Sequence, residues 1–502
     1  MRLGVLLMAV TVLSCTQLPD STDGPHSLSE LKARGDNYIS TNAREYTLSG
    51  IAHGELSAEF ADVEGPVREE MIERAVNARI AHVTRAIKRY VDGKLRDANG
   101  GSAKEDDVYF TYIRRADSTM TTNATVVADN RVEFRFEVDL VGSVYLMHTI
   151  APGAGSSRSF DVSVSDWSGA NPEQVTVQIA GSPAKDAFPR YDLLFEDGVL
   201  DMGIHFGGDY NEERFDLETA KWLVEVLIED GWENDGVATF ADLKIDSGPF
   251  VRRVQVEGRE VSVEIHISHS DMVLEADEEK LTEVVKESFA TRDIVMYSGH
   301  AGENAGFILD YQPRHEIKAR DFAALTMAEK YQVFILDGCR TYRTYVQALM
   351  ANPYKSYENV DIVTTVNTTP FSAGFQLLHE FVYWLTLTND KGAHFPLSWK
   401  TILRGVNTRT WKNVHYGVHG TGSNPQLNPY SGSDALCNPC TEDTDCKAGG
   451  NLCLGYPGGG ACGVACTNDQ ACGAGYRCAR LVDDPKLFYL PKQCIRRDYA
   501  CP

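Results

Sequence analysis

Apolar and polar side chains follow two different periods along this chain, and the changes between them divide it into regions. Between residues 66 and 91 apolar side chains recur every three to five positions with charged side chains between them, which predicts one amphipathic helix. Over residues 132–138 Val and Phe alternate with Glu and Arg, the period of half-buried strands. Residues 46–189 are therefore predicted to form an α+β domain. No chemical motif marks it, so a pro-domain, a binding domain and a spacer stay open.

From residue 190 onward short apolar runs alternate with stretches of helical spacing. The strand-like runs cover residues 200–205, 261–267, 294–297, 333–336 and 360–366, and helical spacing occurs at 217–228, 278–289 and 375–387. Strands separated by helices predict an α/β domain over residues 190–430, with a mainly parallel sheet and helices on both faces. Reactive groups in such sheets collect at the carboxyl ends of the strands.

The first fifteen residues predict export. Arg2 precedes an apolar stretch that is too short for a stable membrane anchor, and Ser14 stands directly before Cys15. This segment resembles the signal of bacterial lipoproteins, in which the cysteine is acylated and becomes the mature N-terminus. An ordinary signal segment is the alternative. We expect residues 16–45 to be a polar tether, and the protein to be a membrane-anchored lipoprotein at the cell surface or in the periplasm, or else secreted.

Ten of the twelve cysteines are concentrated at the end of the chain and predict a disulfide-rich module over residues 435–502. They are Cys437, Cys440, Cys446, Cys453, Cys462, Cys466, Cys472, Cys478, Cys494 and Cys501. Part of their spacing recurs within the module, which indicates an internal duplication. Five bridges are expected, with a connectivity that spacing does not give. A zinc site is less favoured in an exported chain. We expect the module to bind a surface partner.

Cys339 stands apart from these cysteines. With Cys15 set aside for acylation, Cys339 has no partner in the count and is a candidate free thiol. It follows one strand-like run, and His300 follows another. A thiol is a weak nucleophile until a neighbouring imidazole takes its proton, and adjacent parallel strands lie only about 5 Å apart. The backbone N–H groups of Ala301 and Cys339 are candidates for an oxyanion hole.

The two runs end in Ser-Gly-His300 and Asp-Gly-Cys339, and at these residues the chain resembles the caspase-like cysteine peptidases of clan CD. The resemblance covers roughly residues 190–427. It implies His300 as general base and acid, Cys339 as nucleophile, and no cofactor. Family members have a glycine after the histidine, whereas this chain has Ala301.

Asp337 is the candidate specificity residue. Residues i and i+2 of a strand share a face, so its carboxylate is expected to emerge beside Cys339. An acid at this place in metacaspases and clostripain selects Arg or Lys, whereas legumain has Glu there and selects Asn. The resemblance thus implies a basic residue on the amino side of the scissile bond (P1). A helix cap after Cys339 is the alternative role for Asp337.

Charge and histidine spacing limit the remaining possibilities. A net charge of −23 disfavours nucleic acids and leaves a lipid anchor as the only expected membrane contact. His266 with His269, and His415 with His419, lack a third ligand at a motif spacing, so no metal is predicted. The sequence therefore predicts an extracytoplasmic cysteine endopeptidase acting on protein or peptide substrates after Arg or Lys. The alternatives are an inactive surface-binding lipoprotein on the same scaffold and a zymogen silenced by its N-terminal region.

Overall fold

A computed structural model describes residues 36–98, 100–101, 112–128, 130–273, 278–302, 306–311, 314–370, 375–409, 414–430 and 433–501. The strands are β1 (Ile39–Ser40), β2 (Ala43–Glu55), β3 (Tyr112–Ala128), β4 (Arg131–Ser143), β5 (Ser157–Val164), β6 (Glu173–Gly181), β7 (Val199–Phe206), β8 (Phe250–Val256), β9 (Arg259–Ser268), β10 (Ile294–Ser298), β11 (Ala301–Gly302), β12 (Gly306–Tyr311), β13 (Arg314–Ile317), β14 (Gln332–Asp337), β15 (Val360–Thr365), β16 (Tyr416–His419), β17 (Cys453–Tyr456), β18 (Gly459–Cys462), β19 (Val464–Cys466), β20 (Tyr476–Ala479) and β21 (Lys492–Arg496). The helices are α1 (Pro66–Ala98), α2 (Leu146–Ile150), α3 (Tyr191–Leu194), α4 (Phe215–Glu229), α5 (Glu278–Thr291), α6 (Ala319–Ala324), α7 (Thr341–Met350), α8 (Leu377–Leu385) and α9 (Trp399–Arg409).

The N-terminal region is an antiparallel sheet of five strands in the order β3-β4-β2-β6-β5, with α1 packed on it. Helix α1 begins at Pro66, whose missing N–H costs nothing in a first turn. Its residues Val76, Val83 and Ile87 are buried in one core with Phe134 of β4. The predicted amphipathic helix is confirmed and continues to Ala98. The alternation in β4 is also confirmed, because its Val and Phe side chains face this core.

The central sheet has eight strands in the order β1-β16-β15-β14-β10-β7-β9-β8. Strands β15, β14, β10, β7 and β9 run parallel. The edge strands β1 and β8 are antiparallel to their neighbours, and β16 is antiparallel to both β1 and β15. Helices α4, α8 and α9 contribute to the core on one face, and α5, α6 and α7 to the core on the other. Every residue of β10, β14 and β15 is buried, as continuous apolar runs in parallel sheets require. The predicted α/β class is confirmed.

Residues 36–45, assigned by their sequence to a polar tether, are part of the folded body. Ile39 of β1 pairs with Val418 and completes one edge of the central sheet. Just before it, the buried carboxylate of Asp36 accepts a hydrogen bond from the backbone of Gly420 and lies 3.2 Å from Nδ1 of His419. The rest of the predicted tether, and the signal segment with Cys15, lie outside the described residues.

The C-terminal region contains five disulfides, as expected, and their connectivity follows the duplication. The first repeat pairs Cys440 with Cys453 and Cys446 with Cys462, the second pairs Cys466 with Cys478 and Cys472 with Cys494, and Cys437 with Cys501 is the fifth. Asp443 and Asp469 accept the backbone N–H of Cys453 and Cys478 at matching positions.

This module packs on the α/β region rather than standing apart, with Ala448 in the main core. Its disulfides indicate an oxidising, extracytoplasmic environment. Within the described ranges, no helix is both long and apolar enough to span a bilayer.

Candidate functional site

The register of the central sheet brings His300 and Cys339 to the same edge. Strands β10 and β14 are neighbours and run parallel, with Ser298 opposite Asp337. His300 and Cys339 each lie two residues beyond this last pair. The backbone N–H of Gly299 donates to the carbonyl oxygen of Asp337 at 3.1 Å. The two chain segments are therefore still hydrogen-bonded to each other at the residue before His300. The two residues thus leave adjacent strands at the carboxyl edge.

A third strand adds a carboxylate that sequence analysis missed. Strand β7 pairs with β10 on the side away from β14, with Phe206 opposite Ser298, and Asp209 follows three residues after Phe206. The buried Oδ1 of Asp209 lies 3.2 Å from Nε2 of His300. Three neighbouring strands thus deliver Asp209, His300 and Cys339 in this order. The preceding pair Gly207-Gly208 was the one available signal, because two glycines after a strand permit close backbone approach.

The contact with the His300 imidazole stabilises the charged form of Asp209. Burial alone would raise the pKa of Asp209, but hydrogen bonds from His300 and from the backbone of Asn211 outweigh it and hold that pKa below its ordinary value. Its second oxygen, Oδ2, is buried without a hydrogen-bond partner in the described part of the chain. An ionised carboxylate in this position favours one orientation of the His300 ring.

Two tyrosines form the walls around the imidazole. The Tyr210 ring stacks on His300 with centroids 4.9 Å apart, and the Tyr311 ring meets it edge-on at 5.5 Å. Below the ring, the hydroxyl of Tyr297 donates to the carbonyl oxygens of His300 and Ile308. The His300 side chain is nevertheless 20% exposed, so one part of it faces solvent. Such packing restricts the ring while leaving it accessible.

Cys339 lies in the turn between β14 and α7. Arg340, the next residue, adopts left-handed backbone geometry at φ 54°, which turns the chain sharply into the helix. The Cys339 sulfur is 4.0 Å from the carbonyl oxygen of Thr369, and the residue is 7% exposed. Helix α7 begins at Thr341, two residues after Cys339.

The prediction of a free thiol at Cys339 is wrong for this structure. Cys339 is disulfide-bonded, and no described cysteine is a free thiol. The prediction failed because it rested on parity after Cys15 had been set aside. The chain has twelve cysteines, an even number, so a count that includes Cys15 leaves no cysteine without a possible partner.

Asp337 is held inside the protein. Its Oδ2 accepts from the Ser298 hydroxyl and its Oδ1 from the Tyr416 hydroxyl, both at 2.7 Å. Burial raises its pKa to about 6 in spite of these two hydrogen bonds. The residue is 2% exposed, so the carboxylate does not open beside Cys339 as expected, and with both oxygens engaged it does not cap α7 either. Its role in selecting P1 stays a prediction.

Ala301 and Gly338 fit against each other at the sheet edge. A Cβ added to Gly338 would lie 2.6 Å from the Cβ of Ala301 and 3.0 Å from the carbonyl oxygen of Gly299. The Ala301 methyl group therefore fills space next to the Cys339 turn. Ala301 also opens β11, which pairs with β12 in a small three-stranded sheet after His300. The oxyanion role of the Ala301 and Cys339 N–H groups stays a prediction.

Comparisons with known proteins give no family. No protein-family model matches the chain, and neither curated proteins nor solved structures gave a match. Among the described residues, the groupings close enough to hold a metal are two cysteine triplets, at Cys440 and at Cys466, and their members are disulfide-bonded. The geometry of the Asp209, His300 and Cys339 edge is thus the main guide to function.

Proposed function

We propose that this protein is an extracytoplasmic cysteine endopeptidase in which Cys339 is the nucleophile and His300 the general base and acid. One observation carries the proposal: Asp209, His300 and Cys339 follow the carboxyl ends of three adjacent parallel strands, and the carboxylate lies within hydrogen-bonding distance of the imidazole. A nucleophile, a base and a group that orients the base form the arrangement that covalent catalysis requires.

The reaction proceeds in two steps in this proposal. His300 takes the Cys339 proton, the thiolate forms a bond to the scissile carbonyl carbon, and the C–N bond breaks as the imidazolium returns the proton to the leaving amine. Water then attacks the thioester with His300 as base, which releases the acid product and restores the thiol. Asp209 positions the ring and stabilises the imidazolium formed in each step.

The disulfide at Cys339 makes the described form latent under this proposal. A sulfur in a disulfide has no proton to give and no lone thiolate to attack a carbonyl. Activity therefore requires reduction or thiol-disulfide exchange at Cys339. The N-terminal region contacts the same neighbourhood, since the hydroxyl of Tyr342 in α7 donates to Glu45 of β2 at 3.0 Å. This contact supports the zymogen alternative, in which that region restrains the site.

A basic P1 residue is the proposed specificity. Asp337 is a buried carboxylate whose two contacts are neutral hydroxyls, and its raised pKa reflects the cost of keeping its charge there. A substrate cation that reaches Asp337 would offset this cost, whereas an acidic or apolar P1 side chain would not. Ser298 or Tyr416 would have to yield one hydrogen bond in the complex.

A second candidate is favoured by the state of Cys339. A disulfide-bonded, nearly buried cysteine suits an inactive binding protein on a peptidase-like scaffold, with the C-terminal module as the contact surface. In either case the proposed location is the cell surface or periplasm, reached through acylated Cys15, or the medium. Acylation occupies the Cys15 sulfur and the five module disulfides use ten of the twelve cysteines, so the lipid-anchored form would be the form with reduced Cys339. Detergent-phase partitioning and the mass of the mature N-terminus test the lipid anchor.

The test is turnover of fluorogenic peptides with Arg, Lys, Asn, Asp or Leu at P1, before and after mild reduction and with or without limited proteolysis. Cys339→Ala receives the same reduction and proteolysis, so any reduction of the five module disulfides occurs equally in both proteins. Turnover after reduction that disappears in Cys339→Ala supports the peptidase, and a preference for Arg or Lys supports the role of Asp337. Absence of turnover in every state would favour the binding protein.

A further inference from the structure

The exposed ring of Tyr210 rests on the imidazole of His300. The two rings are inclined by only 20°, with centroids 4.9 Å apart, and Tyr210 is still 46% exposed. Half-buried Tyr311 meets Tyr210 edge-on at 5.0 Å and meets the imidazole edge-on at 5.5 Å. The three rings therefore form one aromatic cluster that is partly open to solvent. A ligand that covers the Tyr210 ring would remove a large apolar area from water.

Backbone contacts fix the two tyrosines relative to each other. Two residues before Tyr210, the N–H of Gly208 donates to the carbonyl oxygen of Leu309 in β12 at 3.0 Å. A Cβ added to Gly208 would lie 2.8 Å from the Cα of Asp310, the residue before Tyr311. The loop after β7 and the end of β12 are therefore in direct contact where both tyrosines begin. A ligand can bind such a preformed surface without first ordering it.

The strand order relates Tyr210 to the two reacting residues. Tyr210 follows β7, and the strand that delivers His300 lies between β7 and the strand that delivers Cys339. In the proposed peptidase mechanism, on which this inference rests, the acyl group is bonded to Cys339 and His300 protonates the leaving amine. That amine belongs to the residue on the carboxyl side of the scissile bond (P1′). The P1′ residue must therefore reach the imidazole, which Tyr210 and Tyr311 surround.

We propose that Tyr210 and Tyr311 bind the P1′ side chain of the substrate and favour an aromatic residue there. Aromatic rings in edge-on or offset contact are stabilised beyond the area that they bury, and the exposed Tyr210 ring offers a partner for such a contact. A small P1′ side chain leaves this ring in water. Tyr210 is then a specificity-determining residue for the part of the substrate that leaves first.

The test uses internally quenched peptides that have Arg at P1 and differ only at P1′, where they have Phe or Ala. Two values are measured for each peptide with the full chain. One is kcat/KM with the wild type after mild reduction, and the other is the calorimetric dissociation constant with Cys339→Ala, which needs no turnover. We expect Phe to be favoured over Ala by about fivefold or more in both measurements.

Variants of Tyr210 assign the preference to its ring. Tyr210→Ala should abolish the preference for Phe, whereas Tyr210→Phe retains the ring and should retain the preference. Tyr354→Ala is the matched control and should leave the preference unchanged. Tyr354 is 38% exposed and lies between α7 and β15, near the amino end of β15 and so at the opposite edge of the sheet.

Equal values for the Phe and Ala peptides would overturn the proposal, and that result needs no variant of Tyr210 to fold. The value of kcat/KM decides if the wild type turns the peptides over, and the dissociation constant decides if it does not. A loss by the same factor for both peptides in Tyr210→Ala would also overturn the proposal, because Tyr210 would then only hold the His300 ring. Loss of the preference in Tyr354→Ala would do so too.

The two measurements separate this subsite from the proposed function. Turnover without a P1′ preference contradicts the subsite and leaves the peptidase standing. A preference for Phe in binding to Cys339→Ala, without turnover by the reduced wild type, contradicts the peptidase and leaves an aromatic-binding surface at Tyr210.

Discussion

Replacing Asp337 with Asn should remove a pH dependence of folding stability that this one buried carboxylate creates. The side chain is enclosed by Ser298 and Tyr416, and no cation pairs with it in the part of the chain that the structure describes. Its pKa rises from 3.8 to about 6 on folding, with burial as the cause. A folded pKa above the unfolded one means that the associated stability is complete below pH 3.8 and is lost as the pH rises to about 6.

The magnitude follows from the difference between the two pKa values. A difference of roughly two pK units, at about 1.4 kcal/mol each, gives a loss of about 3 kcal/mol above pH 6. About half of it is already lost at pH 5, so the wild type should lose about 1.4 kcal/mol relative to Asp337→Asn between pH 5 and pH 8. Any constant effect of the amide on packing cancels in this comparison.

The assay is urea unfolding followed by tryptophan fluorescence at pH 5 and pH 8, with disulfides intact. Exposed Asp246 provides the matched control, because Asp246→Asn makes the same chemical change in contact with solvent. The prediction is wrong if the difference in unfolding free energy between wild type and Asp337→Asn is the same at pH 5 and at pH 8. It is also wrong if Asp337→Asn loses more unfolding free energy than the wild type between these two pH values.

Two further predictions concern the same sheet. Burial raises the pKa of Asp361 to about 7, so Asp361→Asn should reduce the pH dependence of unfolding free energy more strongly than Asp337→Asn does. In the same urea assay we expect a change of about 2.5 kcal/mol relative to wild type between pH 5 and pH 8. The same pH dependence in wild type and Asp361→Asn would contradict this. Gly338→Ala should cost about 1–3 kcal/mol through contact with Ala301, and Ala301→Gly should restore part of that loss in a double-mutant cycle; purely additive effects would show that the methyl groups do not meet.

The sequence predicted those parts of the fold that periodic patterns encode. Alternating apolar runs and helical stretches led to the parallel sheet, and the runs before His300 and Cys339 placed both residues at its carboxyl edge. The small sheet of β11, β12 and β13 was missed, and two of its strands, β11 and β13, are only two and four residues long. Strand β1 was missed because it is two residues long and its pairing partner, β16, is distant in sequence.

The parts of the site that sequence reasoning missed depend on long-range contacts. Asp209 is one acid among 71, and only the fold shows that its strand borders that of His300. Gly207 and Gly208 could have drawn attention to it, since a Cβ at either would collide with the backbone of β12. The Asp337 orientation depends on Tyr416, which lies far along the chain. The pairing of Cys339 depends on which distant cysteine approaches it, and parity cannot show that.

In the proposed mechanism reduced Cys339 is a nucleophile that His300 activates. Mass-spectrometric mapping of the site labelled by a peptidyl-arginine chloromethyl ketone after mild reduction tests it most directly, with wild type compared to His300→Ala. We expect the Cys339 sulfur to displace chloride rapidly in the wild type, and labelling to be slower by orders of magnitude in His300→Ala. Labelling spread over the module cysteines, or equal rates in both proteins, would contradict it.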